Sequence, residues 1–164
     1  MPGGLRLALV AGALFGVALI AHAQQMHNHD MHQHEAGAAT VRDDRPIVKF
    51  PEELRIHMLA NMRDHLLALQ EIQDALASQQ YDKAGAIAEQ RLGMTSLRLH
   101  GAHEMAKHMP EGMQRIGSEM HRSASRFAVA VLDTGATGDV RPALSALARV
   151  TQQCVACHSA YRVQ

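Results

Sequence analysis

The chain has few aromatic residues: it contains no tryptophan, three phenylalanines and two tyrosines among 164 residues. Runs of β-branched residues are also scarce. Alanine, leucine and methionine, which favour helices, supply most of the apolar side chains. The composition therefore predicts an all-α protein.

A surplus of charge of one sign is also missing, since 16 lysines and arginines balance 16 aspartates and glutamates. Proteins that bind nucleic acid or anionic membranes usually carry a basic surplus. The balance gives no reason to expect either of these partners.

Long apolar runs are missing except at residues 7–20, a stretch too short for a comfortable membrane span. Arg6 precedes this run, and Ala21-His22-Ala23 follows it as a fitting cleavage site. Residues 1–23 are therefore predicted to be a secretory signal. The mature chain would begin near Gln24, contain no membrane span and be soluble in the periplasm.

Residues 24–45 are polar and rich in histidine and methionine, which predicts a disordered N-terminal arm. Its four closely spaced histidines could bind copper or another divalent ion outside the cytoplasm; they are His27, His29, His32 and His34. The alternative is a merely solubilising tail. Residues 46–164 are then long enough for one domain with a core of its own.

Apolar spacing predicts four amphipathic helices: residues 51–78, residues 82–108, a third beginning at Pro110 and ending before a turn at 134–138, and a fourth capped by Asp139. The expected stripes are Leu59, Met62, Leu66, Leu69, Ile72 and Leu76 on the first helix, Met113, Gly117, Met120, Ala124, Phe127 and Val131 on the third, and Val140, Leu144, Leu147, Thr151, Cys154, His158 and Tyr161 on the last. Four such helices with short turns favour an antiparallel four-helix bundle.

The only two cysteines of the chain fall in the run Cys154-Val155-Ala156-Cys157-His158, which is the attachment signature of a c-type haem. The two thiols can each form a thioether with a haem vinyl group, and the histidine can ligate the iron. A redox dithiol normally opens a helix after a strand, and a disulfide closing so short a loop would add little stability. Neither alternative explains His158.

The C-terminal run Cys154–Arg162, preceded by Gly138-Asp139, resembles the cytochrome c-prime family, whose members end in C-x-A-C-H-x-A-Y-R or close variants. Leu54-Arg55, followed by Leu59, Met62 and His65, is similar to that family's first helix. The resemblance implies a four-helix bundle with one haem c attached near the end of the last helix. It also makes Cys154 and Cys157 the thioether anchors and His158 the proximal iron ligand.

The resemblance further implies that Arg55 pairs with a haem propionate and that Arg162 flanks the proximal pocket. Homodimers through the first two helices are common in the family. Leu59 falls at the distal position, where an apolar side chain would leave the iron five-coordinate. The alternative distal ligands are Met62 and Met58. Met62 lies three residues after Leu59 on the same stripe, whereas Met58 is adjacent to Leu59 but rotated by about a quarter turn around the helix.

The middle of the chain departs from the family, because it is poor in aromatic residues and rich in methionine and histidine. We expect the four histidines of this region to lie on helix surfaces; they are His100, His103, His108 and His121. His100 and His103 could form a weak second metal site.

These observations favour electron transfer between exported redox proteins. The alternatives are a haem protein that binds small gases such as NO or CO, and periplasmic copper handling through the arm. No general base, nucleophile or substrate cleft is visible, so we do not expect an enzyme.

Overall fold

The computed structural model describes residues 42–164. The predicted signal (1–23) and the four histidines of the predicted arm lie outside these residues. Residues Asp43–Gln164 form one unit of the chain.

The described part of the chain is all-α, as predicted. Its five α-helices are α1 (Glu52–Ala77), α2 (Tyr81–Ile87), α3 (Ala102–Ala106), α4 (Glu111–Thr137) and α5 (Arg141–Ala160). A π-helical segment (Ala88–Leu92) and a 3₁₀-helical segment (Met94–Arg98) connect α2 to α3. Two short strands, β1 (Ile47–Val48) and β2 (Arg162–Val163), pair in parallel and join the two ends of this unit.

Proline and glycine set the ends of the long helices. Pro51 and Pro110 stand directly before α1 and α4, where the missing N–H of proline breaks no helical hydrogen bond. Gly138 ends α4 in the left-handed conformation with φ 73°. The helix therefore runs through most of the turn predicted at 134–138, because Thr134 continues the buried stripe of Phe127 and Val131.

The single helix predicted over residues 82–108 is wrong, since this stretch is broken into four helical segments. Gly93 is extended, with the side chain of Glu89 lying where a Cβ would stand. Gly101 has φ 62° and lies against His57 of α1. Both glycines adopt conformations that a regular helix does not contain.

The apolar interior has two parts. The main cluster joins α1, α4 and α5 and includes the fully buried Ile72, Phe127, Val131 and Val150. A second, methionine-rich cluster lies beside the strands and consists of Val48, Phe50, Met58, Met105 and Met113, with Cys157 and Tyr161 packed against it. The predicted stripe of α4 is confirmed.

The predicted stripes of α1 and α5 are rotated with respect to the structure. In α1, Met58 and His65 are buried and Leu66 is exposed. In α5, Leu144, Thr151 and His158 are exposed, and the buried residues are Ala143, Ala146, Leu147 and Val150. Two of the four buried residues are small alanines, whereas the larger Leu144 beside them is exposed. The size of an apolar side chain therefore does not indicate which face of α5 is buried.

No helix among residues 42–164 is long and apolar enough to cross a membrane.

Candidate functional site: the cavities around Cys157

The two cysteines occupy the last turns of α5. Their sulfurs are not bonded to each other. The Cys154 thiol donates a hydrogen bond of 3.5 Å to the carbonyl oxygen of Val150. Cys154 packs against the main apolar cluster and Cys157 against the methionine-rich one. The pair therefore stands where the two parts of the interior meet.

Three adjoining cavities open beside this end of α5. The first, of about 280 Å³, reaches His158, Tyr161 and Arg162. The second, of about 110 Å³, reaches Cys154 and His158, and the third, of about 120 Å³, is lined largely by methionine and histidine. Met62 and Cys157 line all three cavities. Although His158 is exposed, its side chain borders two of them.

Burial raises the pKa of both thiols, and for Cys157 the neighbouring Cys154 adds to the effect. Both thiols also lie at the C-terminal end of a helix, where the helix dipole disfavours a thiolate. Reactive dithiols have the opposite arrangement, with a lowered pKa at a helix N-terminus. The environment of the pair does not favour thioredoxin-like chemistry.

The backbone of His158 is held by an arginine that the sequence analysis placed in the arm. The Arg45 guanidinium donates hydrogen bonds to the carbonyl oxygens of His158 (2.5 Å) and Tyr161 (3.3 Å). The Arg162 side chain in turn donates a hydrogen bond of 3.1 Å from its Nε to the carbonyl oxygen of Arg45. Nothing in the spacing of apolar residues signals this role, because Arg45 precedes the first helix.

Arg45→Gln should loosen the end of α5, because the amide can replace at most part of the guanidinium contacts to the two carbonyl oxygens. We expect faster amide hydrogen exchange at Tyr161, Arg162 and Gln164, whose N–H groups bond to Cys157, Pro46 and Val48. Exchange measured by NMR or mass spectrometry checks this. Arg141→Gln is the control. It removes the guanidinium of another arginine–aspartate pair, at the start of α5, and should leave these amides unchanged.

The structure brings some of the predicted site residues together and separates others. Arg162 and Arg45 line the first cavity, which is the largest of the three beside this end of α5. Arg55 is not among its lining residues, and its guanidinium forms a double hydrogen bond with the carboxylate of Glu52 (2.8 and 2.7 Å). Its pairing with a haem propionate stays a prediction.

The three candidate distal residues differ in their position. Leu59 lines only the largest cavity, Met58 lines that cavity and the third one, and Met62 lines all three. Met58 is buried at the centre of the methionine-rich cluster. Among the three, Met62 therefore has the widest access to the space beside Cys157 and His158.

A cluster of three histidines, which the sequence analysis did not predict, borders the third cavity. It consists of His65 of α1, His100 from the segment between the 3₁₀ helix and α3, and His121 of α4. The ring centres are 4.7 Å apart for His65 and His100, 5.3 Å for His100 and His121, and 6.1 Å for His65 and His121. The expectation that His100 and His121 lie on helix surfaces is wrong, whereas His103 and His108 are exposed.

Burial lowers the pKa of all three clustered histidines. The pKa of His65 falls to about 4, first because of desolvation and then because of its neighbours His100 and His121. The pKa values of His100 and His121 are lowered for the same first reason. The rings are therefore neutral near pH 7. The burial of His65 could have been predicted from spacing, because His65 follows the buried Met58 by seven residues on α1. The burial of His100 could not, because His100 lies in an irregular segment without periodicity.

Neither a protein-family model, nor a curated protein, nor a solved structure matches this chain. The resemblance to cytochromes c-prime stays a prediction from the residues quoted above.

Proposed function

We propose that this protein is an exported cytochrome that carries one covalent haem c and transfers electrons between redox proteins. The observation that supports this most is that Cys154, Cys157 and His158 line the same cavity. A haem needs two thioether bonds and an axial histidine in this relation.

The surroundings of the cavities suit haem. Their walls are mostly apolar, and include Met58, Leu59, Met62 and Met113. Such walls would replace water on both faces of a flat macrocycle. Arg45 and Arg162 at the largest cavity would offer positive charge to the propionates. The haem supplies the one-electron chemistry, and the protein supplies the anchors, the axial histidine and the desolvated walls.

Met62 is the distal residue that electron transfer favours. A thioether on the iron would stabilise the reduced state and raise the potential, and it would close the iron to gases. Leu59 in the same position would leave an open site, which supports the alternative function of binding NO or CO. Three further predictions belong to the same proposal. They are the four-helix bundle, from the apolar spacing and the resemblance, the periplasmic location, from the predicted signal, and a homodimer, from the resemblance alone.

The deciding experiment is the visible spectrum of the purified holoprotein, oxidised and reduced, with and without carbon monoxide. We expect a low-spin spectrum that carbon monoxide does not change. Met62→Leu should convert it to a high-spin spectrum that shifts with carbon monoxide. Met94→Leu, which alters an exposed methionine away from these cavities, should keep the low-spin spectrum.

Two results would overturn parts of this proposal. A high-spin, carbon-monoxide-sensitive wild-type protein would replace electron transfer by gas binding. Protein from a haem-attaching host that carries no covalent haem would remove the cytochrome assignment altogether.

A further inference from the structure

We propose that His65, His100 and His121 form a binding site for a cuprous ion at the third cavity. This cavity adjoins the first one and shares Met58, Met62, Met113 and Cys157 with it. The first observation is the unpartnered Nε2 atom of His65. The His65 side chain is only 8% exposed, and its Nε2 has no hydrogen-bond partner in the structure. A buried polar atom without a partner is costly unless something else satisfies it.

The hydrogen bonds of the other two rings leave their Nε2 atoms free to ligate. His121 Nδ1 lies 2.7 Å from the carbonyl oxygen of Leu92, which can only accept, so this nitrogen carries the proton. Ser96 donates its hydroxyl hydrogen to the carbonyl oxygen of Gly93 and can then accept from His100 Nδ1 at 3.4 Å. In both neutral rings the lone pair is therefore on Nε2. Metal-binding histidines are commonly oriented in this way by a hydrogen bond to the other nitrogen.

The spacing of the rings is that of a liganded triad. With each nitrogen about 2.0–2.1 Å from a metal in tetrahedral geometry, the centres of two imidazole rings lie roughly 5 Å apart. The observed separations are 4.7, 5.3 and 6.1 Å.

The donor atoms themselves do not yet converge, since no group of three or more His, Cys, Asp or Glu side chains among residues 42–164 is already arranged to hold a metal ion. Rotation of the His65 ring about its Cβ–Cγ bond would reposition its unpartnered Nε2 while nearly preserving the position of the ring centre.

The residues that line the cavity beside the triad favour a cuprous ion over a divalent ion. It is lined by no carboxylate, and six methionines surround it: Met58, Met62, Met105, Met109, Met113 and Met120. Neutral imidazoles and thioethers suit a soft monovalent ion, whereas a divalent ion in an apolar cavity without an anionic ligand costs more desolvation energy.

The test is anaerobic titration of the full-length holoprotein with cuprous ion, in competition with a chromogenic cuprous chelator. Because the arm contains histidines of its own, the four arm histidines are replaced by asparagine in every protein of the series. We expect one tight site. His65→Leu and His121→Gln should each weaken it at least tenfold, the glutamine keeping a donor for the carbonyl oxygen of Leu92. The control His103→Gln, whose side chain is 89% exposed, should bind like the parent.

X-ray absorption at the copper edge of the parent protein gives a second readout that does not depend on the folding of a variant. It should show nitrogen neighbours at about 2.0 Å. Equal affinity in the triad variants and the parent, or no copper bound at the triad, overturns the site. Zinc chloride binding as tightly as cuprous ion overturns the choice of ion. Covalent haem is measured in the same samples, so that a failure of the cytochrome assignment and a failure of the copper site are seen separately.

Discussion

Replacing Cys154 and Cys157 together by serine should abolish covalent haem attachment, the largest change that we expect from any substitution in this chain. Serine is close to cysteine in size and keeps its place in the helix, but it has no sulfur and therefore cannot form a thioether. No other cysteine exists to replace them. The double variant and the parent should be produced in the same haem-attaching host, denatured, and extracted with acidified organic solvent. Haem should stay with the parent polypeptide and leave the double variant completely.

The single variants and a neighbouring substitution make this test specific. Cys154→Ser and Cys157→Ser should each retain at most one thioether, which moves the main band of the reduced haem to longer wavelength because one vinyl group stays intact. Val155→Ser, between the two cysteines and exposed, should retain the parent haem content. Haem that resists extraction from the double variant would disprove the thioether assignment.

The second large effect is a loss of stability in mild acid. The folded-state pKa of His65 is about 4, below its ordinary value of 6.5, so the unfolded chain binds more protons between these values. Stability therefore falls as the pH decreases from 6.5 towards 4, and is fully retained above 6.5. From the two pKa values, His65 alone should cost about 2 kcal/mol at pH 5 and roughly 3 kcal/mol near pH 4. His100 and His121 act in the same direction.

Denaturant unfolding of metal-free holoprotein at pH 7 and pH 5 measures this loss. His65→Leu removes the titrating group and fills a similar volume, so it should lose about 2 kcal/mol less than the parent between these two pH values. His103→Gln, on the exposed side of α3, should show the parent's dependence. If His65→Leu and the parent lose the same stability on acidification, His65 does not stay neutral in the folded protein.

Sequence predicted structure best where one residue type or one strict period decided the outcome. The scarcity of aromatic and β-branched residues predicted the all-α class. Pro51 and Pro110 located the starts of the two longest helices, and the strict spacing of Met113, Met120, Phe127 and Val131 predicted the buried face of α4. The prediction of a site at the end of the last helix depended on Cys154, Cys157 and His158, which lie within five consecutive residues and need no knowledge of packing.

The predictions were wrong where several faces of a helix carry apolar residues. In α5 the buried face includes Ala143 and Ala146 as well as Leu147 and Val150, whereas the larger Leu144 beside the alanines is 48% exposed. Alanine allows close packing between helices, so side-chain size did not indicate the contact. In the region between α2 and α3, Gly93 and Gly101 break the helix through local conformations that an average apolar period does not detect.

By itself, the sequence determined the helical class, the starts of the long helices and the run that the proposed haem attachment requires, because each depends on neighbouring residues. Only the tertiary structure brought Arg45 to the carbonyl oxygen of His158, 113 positions away along the chain. It alone gathered His65, His100 and His121 from three separate segments around one cavity. Contacts between distant residues depend on how the helices rotate and approach one another, and that rotation is set by the packing of the whole interior.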